Sequence, residues 1–173
     1  LVYTQVEGDQ HGLLMGIVAW ARGIGLHVIC GGKARDAELI FDPETGGVRD
    51  ARISVSLDAD GRTAVEPSRP IRGRAQLAER KRTLGSFQQF AEFDLCELSI
   101  AANGTGLMPD LPQLHAPVAY TTELADILTL EQRGGILSRD GAIDMATCLR
   151  LPHEPGLGGG VFVTVAAKND YAQ

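Results

Sequence analysis

Cysteine is scarce in this sequence, and the three present, Cys30, Cys96 and Cys148, stand far apart with no CxxC pair. An odd number at such spacings excludes both a disulfide framework and a cysteine zinc site. Their apolar neighbours predict reduced core thiols in a cytoplasmic, reducing compartment. No apolar run approaches the roughly 20 residues needed to span a bilayer, so no membrane partner is expected. Basic residues are outnumbered 16 to 22 by acidic ones, giving a net charge of −6. Binding of nucleic acid is driven by clustered Lys and Arg, and that partner class is excluded too. The one basic cluster, Arg69, Arg72, Arg74, Arg80, Lys81 and Arg82, is diluted by Glu66 and Glu79 and reads as a solvated, flexible surface segment. Phosphate-cradling glycine patterns are also missing. There is no GxxxxGK[ST] run and no GxGxxG at a strand-to-helix turn, and the glycines from Gly156 to Gly160 precede a strand. No cofactor-binding residue is therefore assigned within this chain.

What is present fits one domain with a real core: 173 residues, of which 44% are hydrophobic. The opening Leu1-Val2-Tyr3 carries neither a basic leader nor an initiator Met, and reads as a strand entered in mid-protein. The expectation is a domain, residues 1–173, of a longer chain. Leu1 to Val6 alternates weakly as that strand. Asp9 then stands at an N-cap position ahead of Leu13, Leu14, Ile17, Val18, Ala21 and Ile24, whose spacing predicts a helix over about 10–23. Leu26 to Cys30 reads as a buried strand, which completes a βαβ unit.

Turn signals crowd residues 41–73, where Arg52 to Leu57 and Thr63 to Val65 predict a β-hairpin turning at Asp60-Gly61 and inserted into the domain. Ser86 with Gln89 matches a capping box for a second helix carrying Phe87, Phe90, Ala91, Leu95, Leu98 and Ala101 and ending at Asn103-Gly104. A short helix capped by Thr121 or Thr122 follows. Strands are expected at Gly141 to Leu149 and Gly160 to Ala166, the last central in its sheet. The predicted class is α/β, with α+β as the alternative: a mixed sheet opened by a βαβ unit, two main helices and the inserted hairpin.

Three places can carry chemistry. At the first strand-to-helix turn, Asp9, Gln10 and His11 stand where helix N–H groups can meet a ligand, although Asp9 is equally explained as an N-cap. In Cys30-Gly31-Gly32-Lys33, a lysine reached through two glycines at a strand end can approach a carbonyl or anionic substrate. Desolvation is expected to lower its pKa toward a useful range. On the second helix, Asp94 and Glu97 lie three residues apart near the apolar face. An inward pair of carboxylates needs a cation, a metal or a substrate hydroxyl, unless one reaches solvent or a core Arg pairs with them. Two carboxylates and a lysine suit proton transfer at a carbonyl, with Mg²⁺ or Mn²⁺ as an oxygen-bound option at Asp94 and Glu97. His27, His115 and His153 show no metal-like spacing.

Val2 to Gly12, with its Gly8-Asp9-Gln10-His11-Gly12 core, resembles the "GDQPG" segment of homoserine-dehydrogenase-like oxidoreductases. Trp20 to Gly25, Cys30 to Lys33 and Gly134 to Leu137 are similar to segments of the same family, as is Gly159 to Val163. Glu97 followed by Ala101-Ala102-Asn103-Gly104-Thr105-Gly106-Leu107 is similar to its "E…ANATGL" pattern. The resemblance implies an NAD- or NADP-dependent oxidoreductase in which a Rossmann domain precedes this domain and a small SAF-type module follows it. Some such enzymes are deoxyxylulose-phosphate reductoisomerase-like and use a divalent metal. The matching polar positions are Asp9, Gln10, Lys33, Glu97 and Asn103. Two departures stand out. Ser86 to Asp94 lacks the lysine of the family's "SFxDGTK" segment, which puts the reductoisomerase reaction in doubt, and His11 replaces the usual proline.

The expected function is thus the substrate-side catalytic domain of an NAD(P)-dependent oxidoreductase, inactive in isolation and part of a homo-oligomer. It would act on a small polar, optionally phosphorylated, carbonyl substrate. Lys33, Asp9, Asp94 and Glu97 are the expected catalytic residues, with Gln10, His11, Asn103 and Thr105 as substrate contacts. The alternatives are an oligomerisation or effector-binding module, or a metal-dependent lyase or aldolase.

Overall fold

The computed structural model of the chain describes residues 9–67, 73–87 and 92–166. The α/β class holds: among the described residues five α-helices pack on a mixed eight-stranded sheet. The first helix, α1 (Gln10–Gly23), begins at Asp9, whose carboxylate accepts from the Gln10 N–H. His11, Leu14, Val18 and Ala21 form its buried stripe at helical spacing. Gly25, at φ +83°, supplies the left-handed turn that releases the chain from the helix. Strand β1 (His27–Ala34) follows, buried from Val28 onward. The expected opening strand, Leu1 to Val6, lies outside the described residues.

From β1 the chain forms β2 (Leu39–Asp42), β3 (Gly47–Arg49) and β4 (Ser54–Ser56), antiparallel neighbours in succession. The hairpin turn between β3 and β4 is built by Asp50, whose Oδ1 accepts the N–H groups of Arg52 and Ile53. The predicted strand at Thr63 to Val65 is instead part of a helix, α2 (Ala59–Val65). Asp58 explains the difference: its carboxylate accepts the Gly61 N–H at 2.8 Å and starts a helix where Asp60-Gly61 had suggested a turn.

The described part of the basic run is helical, and its side chains are exposed as expected except for Arg80. Arg74, Arg80, Lys81 and Arg82 lie on α3 (Arg74–Thr83), while Arg69 and Arg72 fall outside the described residues. Arg80 is fully buried and forks onto Glu123 while donating to the Ala64, Val118 and Glu66 carbonyls. Helix α4 (Glu92–Thr105) is the second main helix; Gln89 of its expected capping box lies outside the described residues. Short strands β5 (Met108–Pro109) and β6 (Val118–Ala119) lead to α5 (Leu124–Ile127). The cap there is not Thr121 or Thr122: a 3₁₀ turn, Thr121–Glu123, precedes the helix, and the Glu123 carboxylate accepts the Tyr120 N–H.

Strand β7 (Ala142–Arg150) is the centre of the sheet, with β1, β2, β5 and β6 all parallel to it. The last described strand, β8 (Val161–Ala166), pairs antiparallel with β1 and ends the order β4-β3-β2-β7-β1-β8. It was expected to be central, but it is half-buried while β7 is buried over eight of its nine residues. Apolarity alone did not distinguish the two. Alternation along β7 sends Ile143 and Met145 into a core with α1 and α4, and Ala142 and Ala146 into a second core with α5. Among the described residues no helix is long and apolar enough to cross a membrane.

Candidate active site

The carboxyl ends of β1 and its parallel neighbour β7 are where helix N-termini can face a ligand. Two contacts fix the direction of α1 and α4. At one end Gln10 Nε2 donates to Asp36 Oδ1, just past β1; at the other Arg22 donates to the Thr105 carbonyl at 2.6 Å. Both helices therefore bring their first turns to the carboxyl end of β1.

The glycines before Lys33 serve packing. A Cβ on Gly31 would lie 2.7 Å from a Leu107 methyl and 3.3 Å from Val18, and one on Gly32 would lie 2.3 Å from the Asp144 carbonyl oxygen. Gly31 thus faces α1, Gly32 faces β7 and Phe162, and strand alternation sends Lys33 to the side of Gly31. Its Nζ meets Asp94 Oδ1 at 2.8 Å and also contacts Glu97 Oε2. The Phe93 ring centroid lies 5.6 Å away. Asp94 is buried in line with Leu98 and Ala101, at i, i+4 and i+7, so the face that packs α4 also carries the carboxylate inward. Glu97 retains 22% exposure and links the pair to solvent.

Burial alone would lower the Lys33 pKa, as its position in the strand had suggested. The hydrogen bonds and charges of Asp94 and Glu97 reverse that, and the ammonium titrates above its ordinary range. Lys33 therefore rests as the charged ammonium at neutral pH, a correction to the expected lowering of its pKa.

Asp9, Gln10 and His11 stand at the same end. Asp9 is exposed and caps α1. His11 belongs to the buried stripe that runs through Leu14 and Val18 over Gly31, one turn nearer the carboxyl end of β1. Its Nδ1 lies 3.4 Å from an Asp9 oxygen, and neither it nor Gln10 Oε1 makes a hydrogen bond among the described residues. Asn103 and Thr105 are not brought to this place. They lie nine and eleven residues beyond Asp94 on the same helix, roughly 14–16 Å away at about 1.5 Å per residue. The Thr105 hydroxyl donates to the Ala101 carbonyl within its own helix.

Asp94 and Glu97 converge on the Lys33 ammonium, and Arg35 Nε stands 3.9 Å from Asp94 Oδ2. Among the described residues no three His, Cys, Asp or Glu side chains form a set able to hold a metal ion. With both carboxylates turned to the Lys33 ammonium, the arrangement does not fit Mg²⁺ or Mn²⁺ at Asp94 and Glu97.

Sequence reasoning missed Arg35, although it follows Lys33 at the i+2 spacing that keeps a strand side chain on one face. It also missed the clamp beneath the site. The Glu38 carboxylate, paired with Arg150 at 2.8 Å, accepts the Gly158 N–H, and a Cβ on Gly156 or Gly158 would collide with it. Asp144 is fully buried and accepts the N–H groups of His115, Ala116 and Met145. It holds a segment in which Leu114 and Ala116 both adopt positive φ. His115 in turn meets Asp110, which also binds Ser138; no spacing rule links these residues.

Residues 8–173 match the family described as oxidoreductase DRL, catalytic domain. No curated protein matches the chain.

Proposed function

The chain belongs to the oxidoreductase DRL catalytic-domain family, and on that premise we propose that it is the substrate-side catalytic domain of an NAD(P)-dependent oxidoreductase acting on a small polar carbonyl compound. The observation that carries this reading is Lys33, charged and buried between Asp94 and Glu97 at the carboxyl end of β1, opposite Met145 of the parallel strand β7. The Lys33–Asp94 ion pair alone has no need of a second, partly exposed carboxylate, Glu97; a proton donor that must be recharged does. The residues matching the homoserine-dehydrogenase-like pattern support the same reading.

An ammonium has three N–H donors. Asp94 and Glu97 take two of them, leaving the third for the substrate carbonyl oxygen. A nicotinamide held mainly by a separate domain of the whole protein would supply hydride to such a carbonyl. As the oxygen gains negative charge, Lys33 stabilises it and gives it a proton. Glu97, open to solvent, returns a proton to Lys33, while buried Asp94 fixes the direction of the amine. Asp9, Gln10 and His11 border the substrate position, and the products are an alcohol and the oxidised nucleotide. Outward-facing carboxylates would have favoured the binding-module alternative; the buried Asp94 beside Lys33 supports the enzyme reading.

The test is steady-state reduction of a panel of small ketones, keto acids and phosphorylated ketoses by NADH or NADPH with the full-length protein. Lys33→Met should lower kcat at least 100-fold with its circular dichroism retained, and Glu97→Gln should lower it about 10-fold and shift the pH profile. Turnover of Lys33→Met within threefold of the parent would remove Lys33 from the chemistry and return the module reading to first place.

A further inference from the structure

A cavity of about 240 Å³ lies between α3 and the segment from Leu111 to Pro117. Sites for drug-sized ligands run to roughly 300–1,000 Å³, so this one suits a body of about one ring. Leu77 and Lys81, at i and i+4, turn one face of α3 toward it, opposite Leu111, His115 and Ile136. The sheet separates it from Lys33. Leu114 and Ala116 turn into the core shared by α1 and α4, whereas Leu77 and Ile136 belong to the core on the other face, with α5. His115, between those two residues, is held firmly. Its backbone N–H donates to Asp144, and its Nε2 lies 2.7 Å from Asp110 Oδ2. Asp110, 1% exposed, also accepts the hydroxyl and the N–H of Ser138. Burial would raise the Asp110 pKa, but the hydrogen bonds from Ser138 and His115 bring it below the ordinary carboxylate range. The carboxylate is therefore ionised, and Nε2 carries the proton it accepts. The other ring nitrogen, Nδ1, makes no hydrogen bond among the described residues and is not sealed from solvent, although the His115 side chain is only 9% exposed. Leu114 and Ala116 on either side hold φ of +59° and +46°, a strain that ligand sites tend to store. A histidine serving packing alone needs neither a carboxylate on one nitrogen nor a cavity at the other.

We propose that this cavity is a second ligand site, separate from the candidate active site, for a small carboxylic acid with an apolar body. The carboxylate meets His115 Nδ1 and the Lys81 ammonium, and the body packs against Leu77, Leu111, Pro117 and Ile136. Charge complementarity favours an acid. Lys81 donates to the His115 and Ala116 carbonyls at 3.5 Å, which sets its ammonium beside the imidazole. Arg74, at the far end of the cavity, is paired with Glu131 and donates to the Ile136 carbonyl. The remaining charge on the ring is Asp110, which stabilises an imidazolium. A neutral imidazole would present a lone pair to the carboxylate at Nδ1, whereas a protonated one donates to it. The acid therefore takes up a proton at Nδ1 as it binds. None of this depends on the catalytic reading of Lys33.

The experiment is calorimetric titration of the full-length protein with benzoate and, separately, benzyl alcohol, near pH 8 in two buffers of different ionisation enthalpy. The parent should bind benzoate with a Kd of about 1 mM or tighter, and benzyl alcohol at least about 10-fold more weakly. The two buffers should report about half a proton or more taken up per benzoate, and none in His115→Phe. His115→Phe should weaken benzoate about 10-fold and Lys81→Met about threefold. Ala78→Leu fills the cavity from the exposed side of α3 and keeps a good helix former there; it should weaken benzoate about 10-fold or more. Glu97→Gln, at the candidate active site, should leave benzoate binding within about twofold of the parent. If His115→Phe does not fold, Ala78→Leu and the proton count of the parent decide. No benzoate binding by the parent, benzyl alcohol bound as tightly, or no proton uptake overturns the proposal. So does binding that Glu97→Gln abolishes and Ala78→Leu leaves intact, which would place the acid at the active site instead.

Discussion

Lys33 Nζ and Asp94 Oδ1 stand 2.8 Å apart with 2% and 1% of their side chains exposed, so β1 and α4 are joined by an ion pair from which water is excluded. Removing one partner strands the other in a low-dielectric setting. Lys33→Met should cost about 3–5 kcal/mol in urea unfolding, while Lys33→Met combined with Asp94→Leu should recover most of that loss. The Lys33 pKa is raised in the folded state, so its contribution is fully present below the unfolded lysine value of about 10.4. It is lost as pH rises through the higher folded value. The stability gap between the parent and Lys33→Met should therefore be constant near neutrality and narrow only in strong alkali. A gap that closed below pH 9 would contradict the assignment.

Arg80 and Glu123 form a second buried pair, at 2.6 Å, which ties α3 to the turn before α5. Arg80→Met should destabilise by about 3–5 kcal/mol, measured by thermal or urea unfolding, without moving KM for the substrate. Arg74→Ala, on the same helix but more than half exposed, is the control and should change stability by less than about 1 kcal/mol.

Adjacent glycines should respond differently to one added methyl group. At Gly32 the new Cβ meets the Asp144 carbonyl oxygen at 2.3 Å and the Phe162 ring at 2.5 Å; at Gly31 its nearest neighbour is a Leu107 methyl. A strand carbonyl cannot yield as a leucine can. Gly32→Ala should lose about 3 kcal/mol and Gly31→Ala about 1 kcal/mol. Equal losses in paired unfolding experiments would refute the close approach of β1 to β7.

Of the three thiols, Cys96 is exposed and Cys30 and Cys148 are buried, which corrects the expectation of three core cysteines. Burial also pushes the Cys30 and Cys148 thiols above their ordinary range. One equivalent of a maleimide should react quickly with the native chain, all of it at Cys96 by peptide mapping, and the other two only in denaturant.

Local patterns in the sequence determined much of this protein. Asp9 and the stripe through Leu14, Val18 and Ala21 placed α1 at its observed bounds, because an N-cap and a 3.6-residue period are properties of one segment. The inward setting of Asp94 followed from its spacing to Leu98. Strand alternation alone could have added Arg35 to Lys33. Other features depended on partners far along the chain. Thr63 to Val65 has the composition of a strand, and Asp58 and the packing of Val65 against Phe41 and Leu84 made it a helix. Arg80 looked solvated because Glu123 is 43 residues away. Asn103 and Thr105 shared a motif with Glu97 yet lie a helix length from Asp94, since rise per residue separates what sequence order groups. The direction of the Lys33 pKa shift was decided by tertiary structure: burial and two carboxylates act in opposite senses, and only their distances determine which prevails.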